Sequence, residues 1–119
     1  MDQVGFLKKE FRTKAFKKAD KRILIHHIPI FGCSDEYNPC KELWGDLLNK
    51  QKFNISVNGH MHEYAFHEAG STLGNKFPVV IGGGPALDNA TVIILQKKGK
   101  ELKLRVLNAK GEQLLERVL

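Results

Sequence analysis

Two short apolar runs in this chain end in histidine. Ile23-Leu24-Ile25-His26-His27-Ile28 is stopped by Pro29, and Phe53-Asn54-Ile55-Ser56-Val57 runs into Asn58-Gly59-His60-Met61-His62. The first is rich in β-branched residues and reads as a buried strand, and the second is a further strand candidate. Between them, residues 40–51 place Leu43, Trp44, Leu47 and Leu48 on one face at helical spacing, which predicts a helix. A third run, residues 77–81, leads into Gly82-Gly83-Gly84-Pro85. Residues 4–19 carry a helical apolar stripe. Residues 30–39 read as a loop. From Thr91 the pattern changes to successive strands, 91–97, 101–107 and 114–118, separated by Lys98-Gly99 and Asn108-Ala109-Lys110-Gly111. Helices alternating with strands and then a meander predict an α/β fold with a mixed sheet and a C-terminal antiparallel meander.

The length, 119 residues, suits one domain or part of one. Hydrophobic residues at 42% and charged residues at 27% exclude wholesale disorder and collagen-like repetition. No apolar run approaches the roughly 20 residues that cross a bilayer. No basic start precedes an apolar stretch and a cleavage site, so the expectation is a soluble protein without a signal peptide. The net charge of +6 is concentrated: residues 8–22 hold eight basic and two acidic side chains. These alternate with Phe6, Leu7, Phe11, Ala15, Phe16 and Ala19, as in an amphipathic helix with a solvated lysine face. No aromatic stacking platform or nucleic-acid motif accompanies them. Neither nucleic acid, except as a substrate, nor a membrane is an expected partner. Cys33 and Cys40 are compatible with a short-loop disulfide or with two thiols.

All five histidines lie between positions 26 and 67, three of them just past the ends of predicted strands. In α/β sheets ligands gather outside the carboxyl ends of strands, which makes this region the candidate site. In an extended chain His60 and His62 would send their rings to the same side. Neutral imidazoles suit zinc, iron, manganese-type and copper centres. Strand alternation turns His26 away from His27, toward packing or a supporting role. His67 is a further candidate for orienting a ligand or approaching a phosphate.

His27-Ile28-Pro29, then a helix, then a strand into Asn58-Gly59-His60-Met61-His62, resembles the second half of calcineurin-like metallophosphoesterases. Phe6-Leu7, the segment Ala19-Asp20-Lys21-Arg22-Ile23, Leu43-Trp44, and the glycines at 82–84 before a terminal meander are similar to that family as well. The resemblance implies half of a four-layer αββα sandwich, residues 1–119 forming a single partial domain. It further implies a phosphatase or phosphodiesterase site holding two divalent ions (Mn, Fe or Zn). By the same carry-over, His27 and His60 would bind one metal and His62 the other; His26, Asn58 and His67 are separate candidates for supporting or substrate-contacting positions. Two cations about 3.5–4 Å apart activate a bridging water and clamp both oxygens of an in-line phosphoryl displacement.

The family's other ligands come from an Asp-x-His pair, a Gly-Asp-x-x-Asp motif and a Gly-Asn-His-Glu motif, and none of these occurs in the sequence. The expectation is therefore a C-terminal part of a metal-dependent phosphoesterase acting on phosphate esters, with partial or no metal occupancy and no activity by itself. No catalytic residue is assigned within the chain. An apolar sheet face left uncovered by the absent half would favour self-association. Two alternatives remain: a single Zn²⁺ held by His27, His60 and His62, and a non-catalytic fragment that binds through its basic N-terminal helix. A zinc site joining Cys33 and Cys40 to His60 and His62 lacks the usual histidine spacing.

Overall fold

The computed structural model describes residues 2–33 and 39–119. Asp2 caps α1 (Gln3–Glu10), its carboxylate accepting from the Gly5 amide at 2.6 Å. The single N-terminal helix expected over 4–19 is broken. Thr13, extended at ψ 150°, caps a separate α2 (Lys14–Lys18) by accepting from the Phe16 amide at 3.1 Å. Its hydroxyl also donates to the Glu10 carbonyl at 2.8 Å, so one β-branched side chain closes one helix and opens the next. The resulting corner gathers Phe11, Phe16 and Phe53 into one aromatic cluster, with ring centroids 4.9–6.1 Å apart.

Strand β1 (Ile23–Ile25) is followed by α3 (Cys40–Asn49) and β2 (Ile55–Asn58). Then come β3 (Ala65–His67) and β4 (Val79–Ile81). These four strands form one mixed sheet in the order β1-β2-β4-β3, with only β3 antiparallel to its neighbour. The meander forms a second, antiparallel sheet of β5 (Thr91–Lys98), β6 (Glu101–Asn108) and β7 (Gln113–Val118). The class is α/β, as expected.

Side-chain alternation sorts the two faces of the mixed sheet. Val79 and Ile81 join Ile30, Phe31, Leu48 and Phe77 in one core, with Leu7, Phe11, Leu24 and Trp44 packed against it. Ile55 and Val80 face the other way and meet Leu104 and Val106 of the meander, with Val57, Phe66, Ile93, Leu95 and Leu115 around them. The described residues thus stack as helix, sheet and sheet.

One expectation fails here. β1 is not a buried strand but the edge of its sheet. Its register pairs Ile23 with Ile55 and Ile25 with Val57, on the meander side, yet the meander does not reach over it. Ile25 is left 78% exposed and only Leu24 packs inward. The strand also ends three residues before position 28. The His26 ring turns back so that its Nδ1–H donates to the Ile28 carbonyl at 2.5 Å, and Pro29 has no amide to continue the ladder.

Candidate metal centre

The mixed sheet brings the two histidine motifs together through its backbone. In the parallel β1–β2 pair the His26 amide donates to the Val57 carbonyl at 3.1 Å, and the Gly59 amide donates to the His27 carbonyl at 2.9 Å. The ladder therefore extends past both strand ends and sets His27 beside the 59–62 loop. The His27 and His60 rings meet edge to face, with centroids 5.4 Å apart. His27 is exposed and His60 half-buried, so the pair lies open at the carboxyl ends of the strands.

Below the pair runs a buried polar strut. Asn58, 5% exposed, accepts from the Ser56 hydroxyl at 2.7 Å and donates from Nδ2 to the His26 carbonyl at 2.8 Å. Both residues lie on the helix side of the sheet, where an unpaired polar atom would be costly. The Asn58 backbone carbonyl accepts from the Gly82 amide at 2.9 Å, tying the glycine run to the strand that leads into the histidines. His26 packs its ring edge against Trp44 of α3, centroids 5.2 Å apart. That contact places the His26 ring on the helix side of the sheet.

The 59–62 loop is not extended. His60 (φ 70°) and His62 (φ 59°) are both left-handed, and the described residues contain no other non-glycine residue with positive φ. That region is sparsely populated by residues with a Cβ, though histidine tolerates it better than most. Strand alternation therefore does not place both rings on one side: the loop's backbone, not a strand's pleat, aims them. Such a conformation persists where surrounding contacts hold it. Here the Met61 amide donates to the Gly59 carbonyl at 2.8 Å, and Asn89 Nδ2 donates to the His62 carbonyl at 2.8 Å.

Asn89 is a residue that sequence reasoning missed. The signal was the glycine run before it. A Cβ on Gly83 would lie 2.1 Å from the Asn89 carbonyl oxygen, so that position admits only glycine. The Gly83 amide also donates to the Thr91 hydroxyl at 2.9 Å. His67 lies on β3 rather than in a loop, half-buried, with its Nε2 3.3 Å from where a Cβ on Gly32 would stand. It packs against the Gly32 backbone. Cys33 and Cys40, both half-buried thiols, flank residues outside the described set; burial, reinforced by Cys33, pushes the Cys40 thiol above its ordinary range.

The donor set decides what this arrangement can hold. Two perpendicular imidazoles can serve one cation. Yet among the described residues no group of three or more histidine, cysteine, aspartate or glutamate side chains is disposed to hold a metal ion. Imidazoles are neutral and bring no charge to offset two divalent cations at short range. The described residues do not fit a metal pair. No helix among them is long and apolar enough to cross a membrane.

No protein-family model matches the chain, and no curated protein matches it. Solved structures do. The chain is similar to a conserved uncharacterized protein of Streptococcus pneumoniae, described as a predicted phosphoesterase, at 14% identity and a TM-score of 0.47. That alignment covers 80% of this chain and 55% of the other. The chain is also similar to wild-type Vps29 of Entamoeba histolytica, complexed with Zn²⁺, at 17% identity and a TM-score of 0.43. Here the shares are 80% and 53%. The chain spans about half the length of both proteins.

Proposed function

We propose that this chain is the histidine-bearing part of a metal-dependent phosphoesterase and contributes imidazoles, not a whole catalyst. The observation that carries this reading is the meeting of His27 and His60 at 5.4 Å from the ends of two adjacent parallel strands. Around that pair the motif order His-x-Pro, helix, strand, Gly-His-x-His is retained. In the complete domain His27 and His60 would hold one divalent ion and His62 a second, supplying neutral imidazole ligands. The negative charge needed to hold two such ions comes from outside the described residues. The work of this chain is positional: the β1–β2 ladder sets the His27 backbone, and the Asn58 strut holds the adjoining His26 carbonyl. Asn89 holds the His62 backbone in its left-handed turn. Phosphate monoesters and diesters are the proposed substrate class of the complete domain.

The test is elemental mass spectrometry of the purified chain, with chromogenic monoester and diester assays on the same sample. The reading predicts well under two metal ions per chain and no turnover. Two ions per chain with turnover that His27→Ala abolishes would overturn the claim of incompleteness. One tightly held zinc requiring His27, His60 and His62 together would replace the reading by a single-metal three-histidine site.

A further inference from the structure

Away from the histidines, α1 and α3 leave a groove of about 380 Å³ between them, lined by Lys8, Phe11, Arg12, Leu47 and Gln51. It lies toward the C-terminal end of α3, whereas the histidines follow the C-terminal ends of β1 and β2. Lys8 of α1 and Arg12 just past its end line one side, and Leu47 of α3 and Gln51 just past its end line the other. The floor is apolar and braced: Phe11 packs against Phe16 and Phe53 at 4.9 and 6.1 Å, and against the helix-side core.

The charge around this groove is unbalanced. Residues 8–22 hold eight basic and two acidic side chains. One of the acids, Asp20, pairs with Lys97 at 3.3 Å, outside the segment. The other ion pairs among the described residues engage Lys103 with Glu116 and Arg117 with Glu68. Arg22 spends its guanidinium on the Phe16 and Lys17 carbonyls and on the Phe16 ring. Lys8 and Arg12 are exposed at the groove's rim, and no carboxylate among the described residues pairs with them.

We propose that this groove docks an acidic peptide segment of a partner protein. One apolar side chain of the segment seats on Phe11 and Leu47, its flanking carboxylates meet Lys8 and Arg12, and Gln51 offers a carboxamide to its backbone. A concave site with an aromatic floor and a basic rim matches a side chain with acidic neighbours. A lipid headgroup layer offers no such side chain. The proposal is independent of the histidine centre.

Fluorescence anisotropy tests it, using a fluorescein-labelled peptide with one leucine between paired glutamates. Lys8→Glu with Arg12→Glu weakens binding roughly tenfold or more, whereas Lys17→Glu with Lys18→Glu, an equal charge change on α2, weakens it less than about twofold. Replacing the peptide's leucine by glycine weakens it roughly tenfold as well, and added salt weakens it throughout. Circular dichroism confirms that both double variants are folded. Equal losses in the two variants, equal binding of the leucine-free peptide, or equally tight binding of anionic vesicles or single-stranded RNA would each overturn the proposal.

Discussion

The His27 and His60 rings stand edge to face with their centroids 5.4 Å apart, although each ring follows a different strand. Backbone pairing produces this meeting. The Gly59 amide reaches the His27 carbonyl at 2.9 Å, two residues past the last paired residues, Ile25 of β1 and Val57 of β2. A strand-end pair set by main-chain bonds does not depend on flexible side chains to assemble it.

The buried strut beneath the pair predicts a stability cost. Asn58→Ala removes the donor to the His26 carbonyl and the acceptor for the Ser56 hydroxyl. Both groups are left without their partner, so the variant should lose about 1–3 kcal/mol in urea unfolding. An unchanged urea midpoint would show that water replaces the strut.

Gly83→Ala should be poorly tolerated, because its Cβ would lie 2.1 Å from the Asn89 carbonyl oxygen. The 86–89 turn has to move, which costs about 1–3 kcal/mol and releases Asn89 from His62. Gly82→Ala is the control, since a Cβ there lies 3.4 Å from the Thr91 hydroxyl. Amide chemical shifts of residues 60–63 should change in the first variant far more than in the second. Equal responses would remove the steric explanation.

The contact between the two sheets predicts where truncation hurts. Leu104 is fully buried against Ile55 and Val80, so Leu104→Ala should cost about 2–5 kcal/mol. Val118, 62% exposed on the neighbouring strand, should cost no more than about 0.5 kcal/mol when changed to alanine. Denaturant midpoints that shift alike in the two variants would contradict the assigned core.

Cys40 should react slowly. Burial, and then the neighbouring Cys33, raises its thiol pKa above the ordinary value, so less of the nucleophilic thiolate is present at a given pH. Near pH 8 its alkylation by iodoacetamide, followed by peptide mass spectrometry in the Cys33→Ser variant, should be slower than that of a free cysteine. Removing Cys33 takes away only the smaller of the two causes. Alkylation as fast as free cysteine would refute the burial argument.

Much of this architecture was legible from apolar runs and their breakers. The runs before Asn58-Gly59 and before the glycines at 82–84 became β2 and β4, and the turns at Lys98-Gly99 and 108–111 separate the meander strands. What escaped was set by tertiary context. β3 has three residues, too few to show a period, and exists because Ala65 to His67 pairs with β4. The break at Thr13 is a hydroxyl competing for backbone groups within a continuous apolar stripe. The exposure of Ile25 depends on how far the meander reaches, which no local pattern records. Of the site, the histidines were legible as residues, but the left-handed backbone at His60 and His62 was not, because its support from Asn89 is long-range.

His27 and His60 are proposed to form one side of a metal centre together. The most direct test is paramagnetic line broadening of the histidine Hε1 signals on adding Mn²⁺ at substoichiometric amounts. The His27 and His60 signals should broaden first and together, ahead of His26, whose ring is packed against Trp44, and His67, packed beside Gly32. His60→Ala should abolish the early broadening at His27. Uniform broadening of all five histidines, or early broadening of His27 that survives His60→Ala, would contradict the paired site.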